Sequence, residues 1–171
     1  MGAARGALFE LVGALVPALL IVLFLNGFVA QAALVEEGPS MQPNLYQGYR
    51  VMTEKLSYRL HLPRRGDVVI VGRPDGEKAL VKRVIGLPGE VVETRGGRAW
   101  IDGEQLVEPW VAYLGGPDCP PIRIPEGSVF ILGDNRPASR DSRMIGPVPI
   151  ASIRGHVLFT YWPLQHIGPV P

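Results

Sequence analysis

The chain has 171 residues, 47% of them apolar and 19% charged, with a formal net charge of +1, which allows one modest domain plus an anchor. So small a net charge gives no electrostatic footprint for nucleic acid. Cys119 is the single cysteine, which excludes an internal disulfide, and His61, His156 and His166 are dispersed without ligand spacing, so neither a metal nor another cofactor is expected.

Taken in chain order, the first predicted element is apolar. From Leu11 to Ala33 the sequence is nearly free of charge. About 20 such residues span a bilayer core, so residues 10–34 are expected to form one transmembrane helix, with Pro17 tolerated within it. A cleavable signal peptide is the rival, since Ala30-Gln31-Ala32 has the look of a small-residue cleavage site. Against it, only Arg5 is basic before the stretch, Glu10 adjoins it, and its length exceeds the usual run of about 7–15 residues. Arg5 lies on one side, Glu36 and Glu37 on the other, with no further Lys or Arg until Arg50. The positive-inside rule then puts residues 1–9 in the cytoplasm and residues 35–171 outside it, as a single-pass protein of the cell membrane.

Beyond the anchor, short β-branched runs are punctuated by Gly and Pro. The expected strands are Tyr49–Thr53, Asp67–Gly72, Ala79–Ile85, Glu90–Thr94, Arg98–Ile101, Gln105–Val107, Ser128–Leu132 and His156–Tyr161. Pro74-Asp75-Gly76, Gly96-Gly97 and Asp102-Gly103 supply hairpin signals, the last the type I′ pair. With no amphipathic helix of useful length, residues 35–171 read as an all-β, mostly antiparallel domain. Arg65-Gly66-Asp67 is a turn into a strand, and Cys119 falls in a loop where the acidic Asp118 would raise its thiol pKa.

Chemistry concentrates in three places. Ser40 stands in Gly38-Pro39-Ser40-Met41-Gln42-Pro43, and a serine hydroxyl needs a base within hydrogen-bond reach. No histidine is placed to serve. Lys82, in Leu80-Val81-Lys82-Arg83-Val84-Ile85, shares its face of the expected strand with Leu80 and Val84. Apolar surroundings disfavour its ammonium form, and Arg83 beside it adds like-charge repulsion. There are three lysines, 55, 78 and 82, against fourteen arginines, which cannot lose a proton. Taken singly, Ser40 is more often a turn residue and Lys82 an edge or snorkelling one, and Lys55 or Lys78 would fit the general argument nearly as well. The third place is the polar cluster from Gly133 to Arg143, directly after an expected strand, where sites are commonly built.

Together, Ser40-Met41-x-Pro43, Lys82-Arg83-x-x-Gly86-x-Pro88-Gly89 and Gly133-Asp134-Asn135 followed by Ser139-x-Asp141-Ser142-Arg143 resemble the signature boxes of bacterial type I signal peptidases, in the family's order. The resemblance covers the chain from the membrane segment to about Trp162. It implies a β-rich catalytic domain that removes signal peptides from exported preproteins beside the lipid bilayer. It implies that Ser40 is the acylated nucleophile and Lys82 the general base. Ser139 would orient the lysine amine, and Asp141 and Arg143 would brace the site as an ion pair. Asp134 and Asn135 would be structural. Met41, Leu80 and Val81 would shape shallow pockets for small substrate residues, with plain core packing as the alternative. Gly38 stands where some members carry a hydroxyl that completes the oxyanion hole, so the backbone N–H of Ser40 is the expected oxyanion donor and a second has to come from elsewhere or from the glycine backbone. Ser40 lies about six residues past Leu34, which keeps it within roughly 25 Å of the bilayer. The competing readings are a Ser/Lys relative with another target and a membrane-anchored β-domain for binding or scaffolding. Nothing in the sequence speaks to oligomeric state.

Overall fold

The computed structural model describes residues 10, 12–20, 22, 30–36, 38–72 and 78–171. Residues 10, 12–20 and 22 are helical and exposed, and no helix among the described residues is long and apolar enough to cross a membrane. Residues 11, 21 and 23–29 of the expected anchor, and the Pro74-Asp75-Gly76 turn, lie outside the described residues. The far end of the apolar stretch differs from expectation: Ala30–Leu34 is a strand, β1, rather than the last turn of a helix. Its partner explains why. β1 runs antiparallel to β2 (Arg50–Glu54) over five residue pairs, from Ala30↔Glu54 to Leu34↔Arg50, and the Thr53 hydroxyl donates to the Gln31 carbonyl.

The other strands are β3 (Val68–Val71), β4 (Leu80–Gly86), β5 (Val91–Arg95), β6 (Arg98–Ile101), β7 (Glu104–Gln105), β8 (Cys119–Arg123), β9 (Ser128–Leu132), β10 (Val148–Pro149), β11 (Ile153–Trp162) and β12 (Gly168–Pro169). Every strand pair is antiparallel. The larger sheet has the order β1-β2-β11-β3-β4-β9-β10, with β12 added on β11; the smaller has the order β7-β6-β5-β8. Two four-residue α-helices, α1 (Ser57–Leu60) and α2 (Ser142–Ile145), interrupt the β pattern. The all-β, mostly antiparallel reading therefore describes this domain.

Each expected strand has an observed counterpart within a few residues. Asp102 (φ 51°) and Gly103 (φ 88°) both adopt the left-handed backbone of a type I′ turn, closing the β6–β7 hairpin. Four strands were not expected. β1 was hidden in the apolar run, β10 and β12 are two residues each, and β8 reads Cys-Pro-Pro-Ile-Arg, whose prolines argue against a strand. It is tolerated because β8 lies at a sheet edge.

Apolar residues gather in three clusters, each fully buried aliphatic or phenyl side chain contributing about 1.5–3 kcal/mol. One, built on Met41, Leu45, Val51, Val68, Val81 and Val157, lies under the turn that carries Ser40. A second holds Val69, Val71, Leu80, Val84, Val129 and Ile131. The third, with Ile85, Val92, Ala99, Ile124, Phe130 and Leu132, welds the small sheet to β4 and β9. At that seam Gly86 has no room for a side chain, since a Cβ would collide with Val92 and Phe130.

Candidate active site

Ser40 is the middle residue of a single 3-10 turn, Pro39–Met41, that starts on a proline whose fixed φ suits the first helical position. Met41 locks the turn down: its side chain is buried and its carbonyl accepts the Leu45 amide at 2.9 Å. Ser40 is itself 4% exposed. Its amide donates to the Gly38 carbonyl at 2.9 Å. The expected oxyanion donor is thus engaged in this conformation and has to exchange that partner to serve. Gly38 is exposed, with nothing within 4 Å of where its Cβ would be.

β4 presents Lys82 to this turn. All seven of its residues are buried, because β3 and β9 flank it and clusters cover both faces. Lys82 pairs with Val69 across the ladder and is 0% exposed. Its Nζ donates to Ser40 Oγ at 3.0 Å and to the Val81 carbonyl at 3.1 Å. Lys55 and Lys78 lie elsewhere; Lys78 is bound to Glu36 on the surface.

Arg83 points to the other face, where it meets Asp134. Nε donates to Oδ1 at 2.9 Å and Nη2 to Oδ2 at 2.7 Å, with both side chains buried. Asn44 Nδ2 also donates to Asp134 Oδ2 at 2.7 Å, the Gly66 carbonyl accepts from Arg83 at 2.9 Å, and the guanidinium stacks on the Trp110 ring. This corrects one expectation. The Arg83 charge is bound by a carboxylate on the opposite face and is not left to repel an ammonium at Lys82.

The loop after β9 closes the site. The Asn135 amide donates to the Ser40 carbonyl at 2.9 Å. Asp141 and Arg143, whose side chains are both fully buried, form a two-pronged pair with N···O separations of 2.8 Å. Asp141 also caps α2 through the Arg143 amide and accepts the Gly133 amide at 3.1 Å, while Arg143 donates to the Arg136 carbonyl at 2.6 Å. Ser139 is 7% exposed and its hydroxyl makes no hydrogen bond. It lies against Gly133, where a Cβ would collide with Ser139 Oγ and with the Ser40 carbonyl. Gly133 is thus a site residue by virtue of lacking a side chain, and its place directly before Asp134 was the only sequence signal for it.

Of the expected pocket residues, Met41 and Val81 pack together in the cluster beneath Ser40, whereas Leu80 belongs to the second cluster. All three are at least 95% buried. Cys119 is half-buried; burial pushes its thiol pKa up, with the Arg143 charge opposing and Asp141 adding to the rise. Asp118, the neighbour expected to matter, instead accepts the Gly96 amide.

A family model described as "Signal peptidase, peptidase S26" matches residues 8–162. The chain is 38% identical over 162 residues to a probable signal peptidase I-1 of Synechocystis sp., covering 90% of this chain and 82% of that one. It is 33% identical over 175 residues to a signal peptidase I of Bacillus licheniformis, covering 95% and 93% respectively. A crystal structure of a signal peptidase I from Enterococcus faecalis superposes with a TM-score of 0.47 at 34% identity, over 56% of this chain and 97% of that one.

Proposed function

Since the chain belongs to the signal peptidase family, peptidase S26, and is a peptidase that removes signal peptides, we propose that it cleaves them through an acyl-enzyme formed on Ser40, with Lys82 as general base. The observation that carries this reading is the 3.0 Å separation of Lys82 Nζ from Ser40 Oγ, both buried. Burial favours the neutral amine, whose lone pair can take the hydroxyl proton at that distance.

The Ser40 oxygen attacks the scissile carbonyl carbon as its proton passes to Nζ. The resulting oxyanion takes the Ser40 amide in place of the Gly38 carbonyl. When the carbon–nitrogen bond breaks, Lys82 returns the proton to the leaving amine, and an ester to Ser40 remains. The freed Lys82 amine then takes a proton from water, whose oxygen attacks the ester; the carbon–oxygen bond to Ser40 breaks, Lys82 returns the proton to Ser40 Oγ, and the acid is released. Ser139 is the residue that orients the amine: a buried hydroxyl without a hydrogen bond, beside the Ser40 backbone, has donor and acceptor capacity to spare. The Asp141–Arg143 pair holds the loop, and Met41 and Val81 floor the pocket for small side chains.

The apolar stretch anchors the chain, with residues 1–9 cytoplasmic and the β-rich domain on the outer face beside the bilayer. The exposed apolar side chains of helical residues 12–20 suit lipid contact.

The test is cleavage of a preprotein bearing an Ala-x-Ala site by detergent-solubilised protein. Lys82→Ala is expected to lower kcat by about 10²–10⁴-fold, the range for loss of a positioned base. Retained cleavage removes Lys82 from the mechanism.

A further inference from the structure

Glu108 and Arg136 have no part in the chemistry above, yet they join the small sheet to the loop that carries Ser139. Arg136 is wholly buried three residues before Ser139. Its Nε donates to the Gly133 carbonyl at 3.0 Å, and Nη1 donates to the Gly97 carbonyl, in the β5–β6 turn, at 2.5 Å. Both ends of the fork reach the Glu108 carboxylate, Nη1 at 3.1 Å to Oε2 and Nη2 to Oε1. Glu108 is tied down in turn, since its Oε2 accepts the Ala99 amide of β6 at 3.1 Å.

The backbone of Arg136 is held as firmly as its side chain. Its amide donates to the Tyr113 carbonyl at 3.1 Å and its carbonyl accepts from Arg143 Nη2 at 2.6 Å. Neighbouring glycines leave no slack. A Cβ on Gly116 would sit 2.6 Å from the Arg136 carbonyl and 2.7 Å from Arg143 Nη1, and one on Gly97 would collide with the backbone of Gly115. Gly133 is the convergence point. Its carbonyl is fixed by Arg136, its amide by Asp141, and its bare α-carbon receives Ser139 Oγ and the Ser40 carbonyl.

We propose that Glu108 and Arg136 are positioning residues through which the small sheet sets the spacing of Ser139 from Ser40, by clamping Gly133 and the backbone at residue 136. This rests on the reading of Ser40 and Lys82 as the reacting pair. Neither clamp residue touches the reacting atoms. A buried bidentate ion pair is geometrically stiff, and displacing a reacting group by about 1 Å is enough to cost about 10²-fold in rate. The small sheet is thereby part of the catalytic apparatus rather than an appendage welded on by its apolar cluster.

The experiment measures kcat, KM and urea stability of the full chain in detergent micelles on a preprotein substrate. Glu108→Ala is expected to lower kcat by about 10²-fold with KM within about twofold, and Glu108→Gln, which keeps an oxygen facing Nη2, to recover at least about tenfold of that loss. The double variant Glu108→Leu with Arg136→Met leaves no buried charge at the clamp, so it is expected to lose less stability than Glu108→Ala while kcat remains depressed by at least about tenfold. Near-normal kcat in the double variant overturns the proposal, as does failure of both Glu108→Ala and the double variant to fold, which makes the pair purely structural. Lys82→Ala is run alongside. If it still cleaves, the reacting-pair reading fails, whatever the Glu108 variants do.

Discussion

At the scale of single residues, the site turns on what is withheld from water. A lysine on an open strand stays protonated and is useless as a base at neutral pH. Lys82 is fully buried with its Nζ 3.0 Å from the Ser40 hydroxyl, and in the proposed mechanism that burial favours its neutral form. Gly38 is the complementary case, a position with space and no side chain. Its φ of −58° is not left-handed, and nothing lies within 4 Å of an added Cβ. Gly38→Ser is therefore expected to fold normally and to raise kcat on a preprotein, because a second donor at an oxyanion is worth up to about 10²–10³ in rate. A kcat unchanged by the new hydroxyl would mean that backbone donors already complete the hole.

At the scale of elements, β4 carries opposite chemistry on its two faces. One face gives Lys82 to Ser40; the other gives Arg83 to Asp134, pinning the strand to the loop after β9. Asp134→Ala leaves the Arg83 guanidinium buried without its carboxylate, and a loss of about 3–5 kcal/mol in urea unfolding is expected. Replacing both by apolar residues, Arg83→Met with Asp134→Leu, is expected to cost far less. The two-faced pattern was legible in the sequence, since alternation alone separates Lys82 from Arg83, and so were the strands with clean β-branched runs. The Arg83–Asp134 pair was not, because its members are 51 positions apart and pairing across that distance is decided by the β4–β9 register. The pairing of Glu108 with Arg136 was equally silent, since a buried ion pair leaves no periodic trace, and Gly133, although it opens the third motif, gave no sign of its close contacts. β1 was misread for a different reason: Ala30-Gln31-Ala32-Ala33-Leu34 continues an apolar run, and only β2 selects a strand.

At the scale of the whole molecule, a second charge cluster ties β2, β11, α1 and the turn before β3 together, away from Ser40. Glu54 Oε2 accepts the amides of Leu56 and Ser57 at 2.9 and 2.8 Å. His156 lies 3.7 Å from Glu54 and 3.8 Å from Asp67, and Asp67 accepts the Tyr58 hydroxyl at 2.9 Å. Burial alone would raise the Glu54 pKa, but the hydrogen bonds from Ser57 and Leu56, with His156 nearby, outweigh it and hold the carboxyl below its ordinary value. A depressed carboxyl contributes stability that is present above the unfolded-state value of about 4.3 and is lost as pH falls through the folded value. Glu54→Gln is accordingly expected to lower Tm at pH 7, with the gap to wild type closing as pH falls from the unfolded-state value through the lower folded one. A gap that stays constant with pH would assign the effect to shape rather than charge.

The prolines of β8 carry a consequence for how copies of this protein meet one another. Successive residues of a strand send their amides to opposite sides, so Pro120 and Pro121 delete one donor from each side, next to the register shift between Val92 and Thr94. A neighbouring copy that tried to extend the small sheet along this border would meet a gap in the donor row. That border is thereby blunted against edge-to-edge stacking into fibres.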